Sequence, residues 1–192
     1  MHSTHQEIFS LFKNKYEELS GEVYFASKAY EAVEHVTEIL TKSKIKTTVV
    51  SSAMTLRPPG LKKRLAEKCS PIVLKPGLGK FGDQINAADA GINQAEFGIA
   101  ETGAIVEVTA DDSERLISSL PRVHIAFLKQ SSIVRTLDEA APKLREIYKI
   151  HQANCNITLI SGPSRTADIE MKLFLGVHGP QESHVIVCDW GA

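Results

Sequence analysis

The feature that most constrains what this chain can fold into is an alternation of short apolar, β-branched runs with longer stretches of helical periodicity. Val23-Tyr24-Phe25, Thr47 to Ser51, Ile72-Val73-Leu74, His124 to Leu128, Ile157 to Ile160 and Val185 to Cys188 have the length and composition of buried strands. Between them lie amphipathic stretches. Residues 4–19 put Ile8, Phe9, Leu11, Phe12, Tyr16 and Leu19 on one stripe that ends before Gly21. A second helix follows Ser27, read as its N-cap, with Tyr30, Val33, Val36, Ile39 and Leu40 at helical spacing. A third is opened by Pro58-Pro59-Gly60 and runs to Cys69. A fourth carries Leu137, Ala140, Leu144, Ile147 and Tyr148 on one face, and Pro142 fits it only if the helix starts near Asp138. Strands joined through helices pair in parallel with right-handed crossovers. The expected fold is therefore α/β, an open, mostly parallel sheet with helices on both faces.

Two stretches depart from that alternation. Phe97 to Thr109 holds two apolar runs around Glu101-Thr102-Gly103, which reads as strand–turn–strand with Gly103 at a positive-φ position. Lys75 to Asp83 is a loop by composition. Its Gly77-Leu78-Gly79-Lys80 lacks the full G-x-x-x-x-G-K-[ST] spacing of a phosphate-cradling loop. The 192 residues suit one domain, 1–192, with residues 1–20 as an N-terminal helix packed on it.

Charge and cysteine content narrow the function classes. A formal net charge of -1 argues against a bulk electrostatic nucleic-acid binder. Cys69, Cys155 and Cys188 are far apart with no C-x-x-C pair, so no iron–sulfur or zinc spacing is present, and no metal or cofactor is expected on this chain. An odd, scattered set of thiols suits a reducing compartment. No apolar run reaches the ~18 residues of a membrane span and no signal peptide is recognised, so the expected location is cytoplasmic.

The densest chemistry lies after the strand Ile157–Ile160. Ser161-Gly162-Pro163-Ser164-Arg165-Thr166-Ala167-Asp168 reads as a Gly-Pro turn entering a helix from about Arg165 to Leu175, with Gly176 as its C-cap. A helix start at the carboxyl end of a strand would offer unpaired N–H groups, two hydroxyls and a guanidinium to a carboxylate or phosphate. The plainer alternative makes Ser164 an N-cap and Arg165–Asp168 an i,i+3 ion pair. Glu101 has the chemistry of a base or nucleophile, or of a solvated turn charge. His178, in Val177-His178-Gly179-Pro180, is either a proton carrier or a loop histidine bonded to backbone. His124, at the start of a strand, is expected to be structural.

Three blocks, IAETGAIV (99–106), PRVHI (121–125) and ISGPSRTADIEMKLFLGVHGP (160–180), resemble the LUD-domain (lactate-utilization) family over roughly residues 45–190. The GPSRTADIE and GVHGP pair is the specific part. Ala104 departs from a family position that often carries Thr or Ser. The resemblance implies a fold similar to the sugar-phosphate isomerase and CoA-transferase group. It also implies an accessory part in oxidising L-lactate to pyruvate beside iron–sulfur-containing partner proteins, with a small carboxylate or phosphate as ligand. The expected ligand-binding residues are Thr102, Gly103, Gly162, Pro163, Ser164, Arg165, Thr166, Asp168 and Gly179. Two alternatives stand beside this reading. One is an isomerase, acyl-transfer or cyclo-ligase enzyme working through Glu101, Arg165 and His178. The other is an assembly protein that docks to an iron–sulfur subunit.

Overall fold

A computed structural model describes residues 2–74, 82–111, 113–151, 155–167, 173–175 and 178–190. Six strands form an all-parallel sheet: β1 (Glu22–Ala26), β2 (Thr47–Val50), β3 (Ser70–Val73), β4 (Ala90–Gln94), β7 (Val123–Lys129) and β12 (Glu182–Cys188), in the order β1-β12-β7-β4-β2-β3. The intervening strands belong elsewhere. β5 (Phe97–Ile99), β6 (Ala104–Thr109), β8 (Ile133–Val134) and β9 (Asn156–Ile160) build a mixed sheet in the order β8-β5-β6-β9. β10 (Arg165–Ala167) and β11 (Leu173–Leu175) pair as an antiparallel hairpin.

Side-chain alternation along the parallel strands assigns the two faces. Val123, Ile125 and Phe127 of β7, with Ile186 and Cys188 of β12, meet the helices α2 (Ala29–Lys42) and α3 (Leu61–Lys68) through Val36, Ile39, Leu61 and Leu65. Ala126 and Leu128, with Val185 and Val187, meet α1 (His2–Glu18) through Phe9, Phe12 and Tyr16, and meet the mixed sheet through Ile105. The short helix α4 (Gly82–Asn86) adds Ile85 against Val49, Leu74 and Ile117. On the outer side of the mixed sheet, α5 (Leu137–Ile150) covers Phe97, Ile99 and Val106 with Ala140, Leu144 and Ile147. The α/β architecture with a parallel sheet and helices on both faces is as expected.

Several local expectations hold. The helix α5 starts at Leu137 behind the N-cap Thr136, close to the expected start, but Pro142 then lies inside the helix, where it forgoes the bond an N–H would give to Asp138 O. Gly103 has φ 58°, in the left-handed region that the turn requires. The start of α2 is one residue later than read, after Lys28. Ser27 instead donates its N–H and hydroxyl to Glu31 Oε2.

Two expectations fail. The 165–175 segment does not form a helix: Arg165, Thr166 and Ala167 pair with Leu175, Phe174 and Leu173 across a hairpin. A segment this short is marginal as a helix, and pairing across the hairpin satisfies its backbone groups instead. The strand before the turn, β9, is not in the parallel sheet either. It lies at the edge of the mixed sheet, antiparallel to β6 with Ile160 opposite Ile105 and Thr158 opposite Glu107. Residues 75–81 of the glycine-rich loop lie outside the described residues.

Candidate functional site

The 160–164 and 178–180 blocks come together. Ser164 N–H donates to Pro180 O at 2.8 Å, and Gln181 N–H donates to Arg122 O at 2.8 Å, so both blocks are tied to the start of β7 and β12. Gly162 is required by a close approach: it has φ 95°, and a Cβ there would stand 2.7 Å from Leu19 O beyond the end of α1. The blocks therefore sit at the amino end of the parallel sheet, not at the carboxyl ends where ligands of doubly wound sheets collect. The helix-dipole argument for an anion at Ser161–Asp168 falls with the helix.

What replaces it is an open cleft of about 480 Å³ between β9, the 161–164 turn, the 178–180 segment and the single-turn 3₁₀ helix Glu114–Leu116 with the residues after it. Its walls include Arg115, Ser118, Ser119, Thr158, Ser164 and His178. Gly162, Pro163 and Gly179 are among its lining residues. Arg165 is exposed on β10 and is not among the lining residues. Only the backbone of Thr166 is described, and Asp168 lies outside the described residues. Glu101, Thr102 and Gly103 lie outside the lining too. Glu101 Oε1 accepts the Leu137 N–H at 2.9 Å, at the first turn of α5, and the Thr102 hydroxyl donates to Ile99 O. Of the two candidate catalytic groups, the cleft thus receives His178 and not Glu101.

A larger concavity of about 890 Å³ lies on the outer surface of α2 and α3. It is walled by Glu34, Glu38, Lys42, Arg64 and Lys68, ordinary solvated charges of helix faces.

Directly behind the cleft is a buried polar cluster. Glu107, on the inward face of β6, is 2% exposed, and His124 on β7 is 1% exposed. Glu107 Oε1 accepts from Asn93 Nδ2 at 2.7 Å and stands 3.1 Å from His124 Nε2. His124 Nε2 is also 2.9 Å from Asn93 Oδ1, so its proton is shared between two acceptors. Glu107 Oε2 and His124 Nδ1 have no partner. Nearby, the buried Tyr16 and Ser183 hydroxyls are 2.6 Å apart. Burial raises the Glu107 carboxyl's hold on a proton most strongly. The His124 ring, Ser118 and Asn93 together outweigh it and keep the group below the usual carboxylate range.

His124 had been expected to be structural; it is buried, but only one of its two ring nitrogens is satisfied. Glu107, Asn93, Ser118 and Arg115 were not singled out from the sequence. A signal for Glu107 was present: in Ala104–Thr109 it shares the parity of Ile105, so a carboxylate occupies an inward, apolar position.

No cysteine is among the residues that line the cleft. The three cysteines are unpaired, and burial pushes the Cys188 thiol up to about 12. Among the described residues no group of three or more His, Cys, Asp or Glu is placed to hold a metal ion, and no helix is long and apolar enough to cross a membrane.

Comparisons with known proteins cover nearly the whole chain. The LUD domain family model matches residues 9–188. The Uncharacterized protein YkgG of Escherichia coli (strain K12) is 33% identical over 144 residues, 73% of this chain and 62% of that protein. Lactate utilization protein C of Shouchella clausii (strain KSM-K16) is 37% identical over 107 residues, 56% of this chain and 47% of that protein. The chain thus spans about half to six-tenths of the length of these relatives. A crystal structure of a DUF162 family protein from Deinococcus radiodurans superposes with a TM-score of 0.69 at 20% identity, over 96% of this chain and 98% of that one, which supports the fold. With the family model matching residues 9–188, the chain belongs to the LUD domain family.

Proposed function

We propose that this chain, working as one domain, serves a lactate-utilization system as its component without iron–sulfur ligands. In this reading it binds a small carboxylate or phosphate in the cleft between the 161–164 turn, the 178–180 segment and Arg115–Ser119, and electrons pass through iron–sulfur partner proteins. One observation carries the ligand reading. The two parts of the specific signature, the 161–164 turn and the 178–180 segment with His178, meet Arg115, Ser118 and Ser119 from an earlier part of the chain at a hydroxyl-lined cleft. A guanidinium with neighbouring hydroxyl donors suits a carboxylate. The lactate context is supported by the printed name of the Shouchella clausii relative.

Binding to the folded form must raise stability by mass action. At a hundredfold excess over Kd the gain is about 2.7 kcal/mol, or about 5–10 °C in Tm for a chain of this size. L-Lactate, pyruvate or a phosphorylated analogue should produce such a shift, and Arg115→Ala should abolish it. No shift with any of these probes refutes the ligand reading. Failure of the intact protein to co-purify with iron–sulfur partners from lactate-grown cells refutes the partner reading.

A further inference from the structure

The helices α2 and α3 each join two strands of the parallel sheet and pack on the same face of it, so they run side by side in one direction. Between them the surface is hollow. The concavity of about 890 Å³ and a second of about 330 Å³ share Glu34 and Arg64, and so form one trough along both helices. Val33 and Ile39 of α2, both buried, lie at its floor. Tyr30 stands 56% exposed at the end that holds Pro59 and Gly60. The two walls carry opposite charge. Glu34 and Glu38 stand on α2 at i,i+4, and Arg64 and Lys68 stand on α3 at the same spacing. Like charges at that spacing oppose each other along a helix. Neither wall relieves the other, because among the described residues no ion pair crosses the trough. Arg64 turns to Glu67 on its own helix at 3.4 Å, and Glu38 lies 3.8 Å from His35 on its own.

We propose that this trough is the contact face of a dimer of the chain. A two-fold axis running along the trough lays α2 of one copy over α3 of the other, twice, and keeps every residue at its own height. Glu34 then meets Arg64 of the partner subunit, and Glu38 meets Lys68 of the partner subunit. Tyr30, an aromatic of the kind enriched at interfaces, covers Pro59 and Gly60 of the partner subunit. A face of one sign would need an outside protein of the other sign. A face with one acidic and one basic wall is its own complement under a two-fold axis, and that contact closes at two copies. The trough lies on the α2–α3 face and the cleft lies beside the mixed sheet, so this proposal stands apart from what the cleft binds.

Sedimentation velocity on the intact chain tests it. The native protein should form a species of twice 21.0 kDa. Raising salt from about 0.05 to about 0.5 M should weaken that species, since exposed charge pairs are screened. Glu34→Lys with Glu38→Lys, and separately Arg64→Glu with Lys68→Glu, set like charges against each other and should each weaken dimerisation at least about tenfold. Mixed one to one, the two variants should form a heterodimer, because each reversed wall then meets a matching one. All four substitutions on one chain keep the native net charge of -1 and should restore the dimer. The four positions are exposed on their helices, so the variants should fold, which circular dichroism checks. A native chain that stays monomeric at every concentration overturns the proposal and leaves the trough to a different protein. A native dimer unmoved by either pair of substitutions overturns it as well, since the contact then lies elsewhere. Loss of the dimer that neither the mixture nor the fourfold variant restores overturns the charge pairing on which the proposal stands.

Discussion

Replacing Gly91 by alanine tests how the cleft wall is held. Gly91 lies on β4, paired with His124 of β7 on one side and Val49 of β2 on the other, so it cannot move without opening the sheet. A Cβ at this position would stand 1.9 Å from Ile117 O, 2.9 Å from its carbonyl carbon and 3.0 Å from its Cγ2. Restoring an ordinary carbon–oxygen contact of about 3.3 Å requires the 114–120 segment to retreat by about 1.4 Å. Ile117 is wholly buried against Val49, Leu74, Ile85 and Ala88. Glu114 accepts from Ser52 N–H and hydroxyl at 3.2 Å, so that segment is anchored as well. Neither side can yield cheaply. Overpacking of this kind costs about 3 kcal/mol, or about 6–12 °C in Tm for a chain of this size. Urea unfolding should show a lowered midpoint with an unchanged slope. Because Arg115 and Ser118 ride on the displaced segment, any ligand-induced stabilisation should weaken in parallel. A Gly91→Ala protein melting within about 2 °C of the native chain would refute the packing of this segment on β4.

Two further outcomes follow from other parts of the molecule. His184 is 1% exposed; burial holds its pKa below the ordinary value although Glu22 and Glu182 oppose that shift, with Lys42 and Tyr24 completing its surroundings. The folded state then binds this proton later than the unfolded chain, so stability is present above about pH 6.5 and is lost as pH falls through the depressed folded value; His184→Gln should flatten urea stability between about pH 7 and 5, and an unchanged slope would refute the assignment. Glu101→Gln removes a negative charge at the first turn of α5 and should cost no more than about 1 kcal/mol without altering ligand binding in calorimetry, whereas loss of ligand binding would place Glu101 in the site after all.

Local information in the chain was enough for much of the fold. Strands β1, β2, β3, β7 and β12 of the parallel sheet, the helices α1, α2, α3 and α5 and the left-handed Gly103 follow from periodicity and turn chemistry within a few residues of each position, whereas β4, central in the sheet, was not read from the sequence. Periodicity reports which face of an element is buried, but not what buries it. That is why β9 was legible as a strand while its sheet was not: the pairing of Ile160 with Ile105 joins residues far apart in sequence. The segment 165–175 was ambiguous for a related reason, since its hairpin is held by cross-strand partners rather than by one helical face.

The candidate site divides along the same line. Gly162, Pro163, Ser164, His178 and Gly179 stood out because unusual residues at fixed spacing are visible locally, and the fold does bring them to one cleft. Arg115, Ser118, Glu107 and Asn93 look ordinary in sequence. Each gains its chemistry from a neighbour supplied by a different element: Glu107 by facing His124 across two sheets, Ser118 by lining one cleft with β9 and the 178–180 segment. Sequence alone determined the elements and the signature turns; the tertiary structure decided the end of the sheet, the arginine and the buried carboxylate, because desolvation and charge pairing exist only once distant strands are packed together.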